Sequence, residues 1–96
     1  MTYLIKPQGT DLVSRSTGAA LRHSIERAIS KDGLAKLDLS DVVFVAESFA
    51  DETFGVLALI KGVDWVVESI EFYGATEDVL NTIARVIDRR CPVQAA

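Results

Sequence analysis

A serine and three carboxylates crowd one short stretch, Glu47-Ser48-Phe49-Ala50-Asp51-Glu52. On a helix, Glu47 and Asp51 share a face, as do Ser48 and Glu52, whereas the adjacent Asp51 and Glu52 diverge. Ser48 followed three residues later by Asp51 is the pattern of a capping box, in which each side chain takes a free backbone N–H. The group is therefore expected at a tip where a strand hands over to a helix, a common binding position in α/β proteins. Carboxylates and waters suit a hard cation. The spacing fixes no coordination shell, so no metal is expected.

A second group is Ser14-Arg15-Ser16-Thr17-Gly18. Small hydroxyls and free N–H groups at a helix start favour an anion, which makes Arg15 a candidate anion contact. The plainer alternative is that Arg15 pairs with Asp11 or with one of the Glu47–Glu52 carboxylates. His23 and Cys91, the only residues of their types, lie far apart and form neither a zinc site nor a nucleophile–base pair. Cys91 has no base beside it and is expected as an inert thiol. The six glycines are isolated from one another, so there is no phosphate loop. No catalytic residue and no cofactor is expected.

Ten basic residues against fourteen acidic ones, a net charge of −4, argue against a nucleic-acid partner, which would need clustered Lys and Arg. Arg85, Arg89 and Arg90 do cluster, but at the end of an expected helix, where cations complement the dipole. The 96 residues fit one domain spanning 1–96. A lone cysteine fits a reducing cytoplasm, no apolar run is long enough to span a bilayer, and the N-terminus lacks a signal-peptide pattern. A cytoplasmic protein with no membrane partner is expected.

The elements that must position these groups read as an alternation. Thr2–Lys6 is an expected strand, and Leu12-Val13 a second short one or an anchor for the next helix. Ser14–Gly18 offers caps for a helix running from Ala19, with Leu21, Ile25, Ala28 and Ile29 inward and Arg22, Glu26 and Arg27 outward. Gly33 ends it. Leu34–Leu39, with Asp38 pointing inward, and Val42–Val45 are extended. A second helix is expected over Phe49–Ile60, burying Phe49, Val56, Leu57 and Ile60. Trp65–Phe72 alternates as a strand, imperfectly at Glu68. Tyr73-Gly74 turns the chain, and Thr76 caps a last helix with Leu80, Ile83, Ala84 and Ile87 buried. Pro92 stops it, leaving 91–96 as a frayed tail. The expected class is α/β, a small mixed or largely parallel sheet with helices packed on it.

Leu37-Asp38-Leu39-Ser40, then Val42–Val45, then a serine opening a helix resembles the STAS domain of anti-sigma-factor antagonists and sulphate transporters. The octet Ser48-Phe49-Ala50-Asp51-Glu52-Thr53-Phe54-Gly55 looks closer to STAS-like domains of unknown function found in small bacterial and phage proteins and beside histidine-kinase-like ATPases. The resemblance covers roughly Leu12 to Gly74. It implies a STAS-like fold and a regulatory module that binds another protein. In the antagonist branch a serine at this tip is phosphorylated and the partner released, since a phosphate adds about −1.5 to −2 charges. That branch reads Asp-Ser-Ser-Gly where this chain has Ala46-Glu47-Ser48-Phe49. The switch position thus falls on Glu47, and Ser48 is the candidate phosphosite.

The expected function is a small non-enzymatic protein-binding module that engages a histidine-kinase-like ATPase or another regulatory protein through Glu47, Ser48, Asp51 and Glu52. Reversal of Asp51 and Glu52 to lysine is expected to weaken partner binding and spare the fold. Alternatives are a self-assembling homodimer, a phage- or defence-related inhibitor or accessory protein, and a ligand-binding domain or enzyme using Arg15 with the acidic tip.

Overall fold

The structure, a computed structural model, describes residues 4–90. The expectations for residues 2–3, Cys91, Pro92 and the 91–96 tail lie outside them. The chain is a mixed α/β protein. Its strands are β1 (Leu4–Ile5), β2 (Asp11–Leu12), β3 (Ala35–Asp38), β4 (Phe44–Val45) and β5 (Ile70–Tyr73). Among the described residues every strand pair is parallel, in a sheet ordered β1-β3-β5 and a two-stranded β2-β4 ladder. Parallel neighbours need a helix to carry the chain back. The first crossover is α1 (Arg15–Asp32).

Ser14 is the cap that starts α1: its hydroxyl accepts from the Thr17 amide at 3.1 Å. The helix therefore begins at Arg15, four residues before the expected Ala19, and Gly33 closes it in the left-handed conformation. Asp38 corrects another expectation. In β3 the inward residues are Ala35 and Leu37, and Asp38 lies on the opposite face, where its carboxylate accepts from the Ser40 amide at 2.9 Å. Period-two alternation leaves it no other choice.

Residues 47–61 form one helical rod in three parts: α2 (Glu47–Ala50), a π turn (Asp51–Gly55) and α3 (Val56–Lys61). The π turn inserts one residue relative to a 3.6 repeat and rotates everything beyond it. Phe49 and Leu57 are buried as expected, but the inward face continues through Thr53, Phe54 and Ala58, while Val56 is half-buried and Ile60 is exposed.

The expected Trp65–Phe72 strand is mostly helical. Gly62, at φ 97°, breaks the rod, and α4 (Val63–Ser69) follows with Val66 buried and Val67 exposed. Only Ile70–Tyr73 is extended, because β3 offers just four residues, Ala35 to Asp38, to pair with. The residues before it have no strand to join, and coiling satisfies their backbone groups locally.

α5 (Glu77–Arg90) starts as expected, with the Val79 amide on the Thr76 hydroxyl at 3.2 Å. Its buried stripe is Val79, Ile83 and Val86, with Ile87 half-buried; Leu80 and Ala84, expected inside, face out. The core joins Ile25, Leu37, Phe49, Phe54, Leu57, Val66 and Val86, and the rings of Phe54 and Phe72 meet in a tilted contact at 5.5 Å and 59°.

Candidate functional site

Ser48 does not cap the rod. The residue at the cap position is Ala46, which offers no side-chain bond, and Ser48 is the second helical residue, its hydroxyl donating to the Val13 carbonyl at 3.1 Å. The capping box fails because Asp51 is engaged elsewhere. Arg90 grips it as a fork, Nε to Oδ1 at 2.8 Å and Nη2 to Oδ2 at 2.7 Å.

Each acidic residue of the tip has an arginine from another element. Glu47 meets Arg89. Glu52 accepts from Arg22 of α1 at 2.8 Å, and the same Nη1 donates to the Glu52 carbonyl at 2.5 Å. Arg15 stands 3.5 Å from both Asp51 and Glu52, which is the pairing alternative for that residue. Three carboxylates therefore meet four guanidiniums, and the expected negative patch is a paired cluster in which arginines outnumber acids by one. Hydrogen bonds from Arg89, Arg90 and Arg22, helped by their charges, hold Glu47, Asp51 and Glu52 respectively below the usual carboxylate range.

Helix ends explain the meeting. The start of the rod carries Glu47 and the end of α5 carries Arg89 and Arg90, so each charge complements the dipole of its own helix and then pairs across the gap. The cluster has two tiers. The side chains of Asp51 and Arg22 are 16% and 15% exposed, whereas those of Glu47 and Arg89 are 51% and 56% exposed. The inner tier fixes the elements, and the outer tier faces solvent. An open cleft of ≈ 270 Å³ lies between Arg15, Glu47, Ser48, Asp51, Arg89 and Arg90.

Two glycines make the approach possible. A Cβ on Gly55 would lie 2.5 Å from Asp51 Oδ1 and 3.1 Å from Arg90 Cγ, and one on Gly18 would lie 2.8 Å from the Phe49 carbonyl oxygen. Where α1 crosses the rod, the buried Thr53 hydroxyl faces the carbonyls of Gly18 and Phe49 at 2.8 and 3.0 Å. Sequence reasoning brought Glu47, Ser48, Asp51, Glu52 and Arg15 together correctly but missed Arg22, Arg89, Arg90, Gly55 and Thr53. Arg22 was expected in solvent. The available signal was glycine one turn after Asp51, a helix face left without bulk beside an acid.

Among the described residues no group of three or more His, Cys, Asp or Glu is placed to hold a metal, and no helix is long and apolar enough to cross a membrane. No protein-family model, curated protein or solved structure matches the chain.

Proposed function

We propose that the chain is a STAS-like, non-enzymatic regulatory module of the cytoplasm that binds another protein through the corner at Glu47, Ser48, Asp51 and Glu52. The observation that carries this is the outer tier. Glu47 and Arg89 are half-exposed charges of opposite sign, held in place from below by the forked Asp51–Arg90 pair. Charges fixed before contact give orientation and on-rate without the entropy cost of ordering them. The partner class implied by the resemblance is a histidine-kinase-like ATPase, which would present an arginine or lysine to Glu47 and an acid to Arg89 or Arg15. Asp51 and Glu52 hold the corner in shape rather than touch the partner. Ser48 ties the rod to Val13, and the recognition proposed here invokes no phosphate on it.

Calorimetric titration with a purified histidine-kinase-like ATPase from the same genome tests this. Binding by the native chain, and at least about tenfold weaker binding by a folded Glu47→Lys variant, is the expected result. Equal affinities would remove the corner from the interface, and no heat with the native chain would remove this partner class.

A further inference from the structure

A second surface lies on the far side of β4. On the β2 side the Phe44 amide donates to the Thr10 carbonyl and the Ala46 amide to that of Leu12. Val45 itself is buried in the core, whereas its neighbours Val43 and Phe44 are exposed. Beside β4 lies an open groove of ≈ 440 Å³ whose other wall is the first half of α5. The apolar lip of the groove is exposed: Val43 is 69% and Phe44 52% accessible.

The α5 wall carries Asp78, Asn81, Thr82 and Arg85, at positions i, i+3, i+4 and i+7 of one face. Asp78 and Arg85 stand about 10.5 Å apart along the axis. Neither has an ion-pair partner among the described residues, although Arg89 and Arg90 on the same helix are both paired. An acid and a base at the two ends of one stripe, with amide and hydroxyl groups between, is self-complementary under a two-fold axis through its middle. Asp78 of one copy then faces Arg85 of the other, and the reverse.

We propose that this face, β4 with the first half of α5, binds a second copy of the chain in a two-fold dimer. The two Asp78–Arg85 contacts set the register, and Val43 and Phe44 of each copy cover one another. A specific interface of this kind needs roughly 500 Å² from each copy, under a tenth of the 5699 Å² surface. The proposal does not rest on the reading of the Glu47 corner, although Arg85 lies near enough for its charge to help lower the Glu47 carboxyl.

Sedimentation equilibrium of the purified chain, from micromolar to sub-millimolar concentration, tests it on four proteins. The native chain is expected to dimerise. Asp78→Arg and Arg85→Asp each place like charges opposite one another and raise the dimer dissociation constant at least about tenfold. The double variant Asp78→Arg with Arg85→Asp restores complementarity and brings the dimer back. Circular dichroism of each variant confirms that it is folded. A native chain that stays monomeric throughout, single variants that dimerise as well as the native chain, or a folded double variant that does not recover would each overturn the proposal.

Discussion

Arg90 and Asp51 are joined by two near-parallel bonds of 2.8 and 2.7 Å across a gap that only a glycine at position 55 leaves open. Forked guanidinium–carboxylate pairs are directional as well as strong. This one fastens the last turn of α5 to the π turn of the central rod. It stands 39 residues apart in sequence and holds the exposed Glu47–Arg89 pair above it in place.

Removal of the fork should be felt as stability. Arg90→Ala leaves Asp51 with only Arg15 at 3.5 Å. The expected loss is about 1–2 kcal/mol, discounted for partial exposure, or roughly 5–10 °C in Tm. Urea unfolding followed by circular dichroism measures it, and an unchanged midpoint would contradict the fork's role. For the same reason Asp51→Lys with Glu52→Lys, expected from sequence to spare the fold, should unfold it: two cations would be placed among Arg15, Arg22 and Arg90.

Gly55→Ala should reverse its usual sign. In a helix interior this change ordinarily stabilises by about 0.8–1 kcal/mol. Here the new methyl meets Asp51 Oδ1 at 2.5 Å while Arg90 holds that carboxylate still. The substitution is expected to destabilise by about 1 kcal/mol in the native background. In Arg90→Ala, where Asp51 can swing aside, it should become neutral or stabilising. Equal effects in the two backgrounds would show that the two sites are uncoupled.

Thr53→Val keeps the shape and deletes a hydroxyl that is fully buried between two carbonyls. The expected cost is about 1–3 kcal/mol. Thr53→Ser, which keeps the donor, should recover more than half of it. If serine and valine proved equal in thermal unfolding, packing rather than hydrogen bonding would hold α1 to the rod.

Acid should dissolve the cluster. Glu47, Asp51 and Glu52 have folded pKa values below their ordinary ones. A carboxyl depressed in this way adds stability that is complete above its unfolded pKa and is lost as pH falls through its folded one. Stability should therefore be level above about pH 5 and fall below about pH 4. Asp38, lowered by its bonds from Ser40, adds to the same slope. The penalty of Arg90→Ala isolates Asp51: it should be greatest near neutrality and shrink in acid. A penalty independent of pH would exclude the ion pair as its source.

The residues of the corner were legible because they are neighbours in sequence, and the caps at Gly33 and Thr76 because caps are local chemistry. The arginine partners were not. Arg22, Arg89 and Arg90 lie 30 to 42 residues from the acids they bind, and nothing in a window around Glu47 announces them. The π turn hid the inward face of the rod, since a 3.6 period carried through Asp51–Gly55 lands on Ile60 instead of Ala58. The Trp65–Phe72 run has strand-forming residues, and Val66 and Val67 fit either period. The length of β3 decided that only Ile70–Tyr73 would pair.

Exchange of the outer pair, Glu47→Arg together with Arg89→Glu, separates recognition from folding most directly. The swapped side chains can still pair with each other, and opposing two helix dipoles costs about 0.3–1 kcal/mol each, so the double variant should fold. Its surface, however, offers a partner the inverse pattern of charge. Calorimetry against the partner that binds the native chain should show affinity lowered at least about tenfold. Native affinity in the folded, charge-swapped chain would contradict a binding role for this corner.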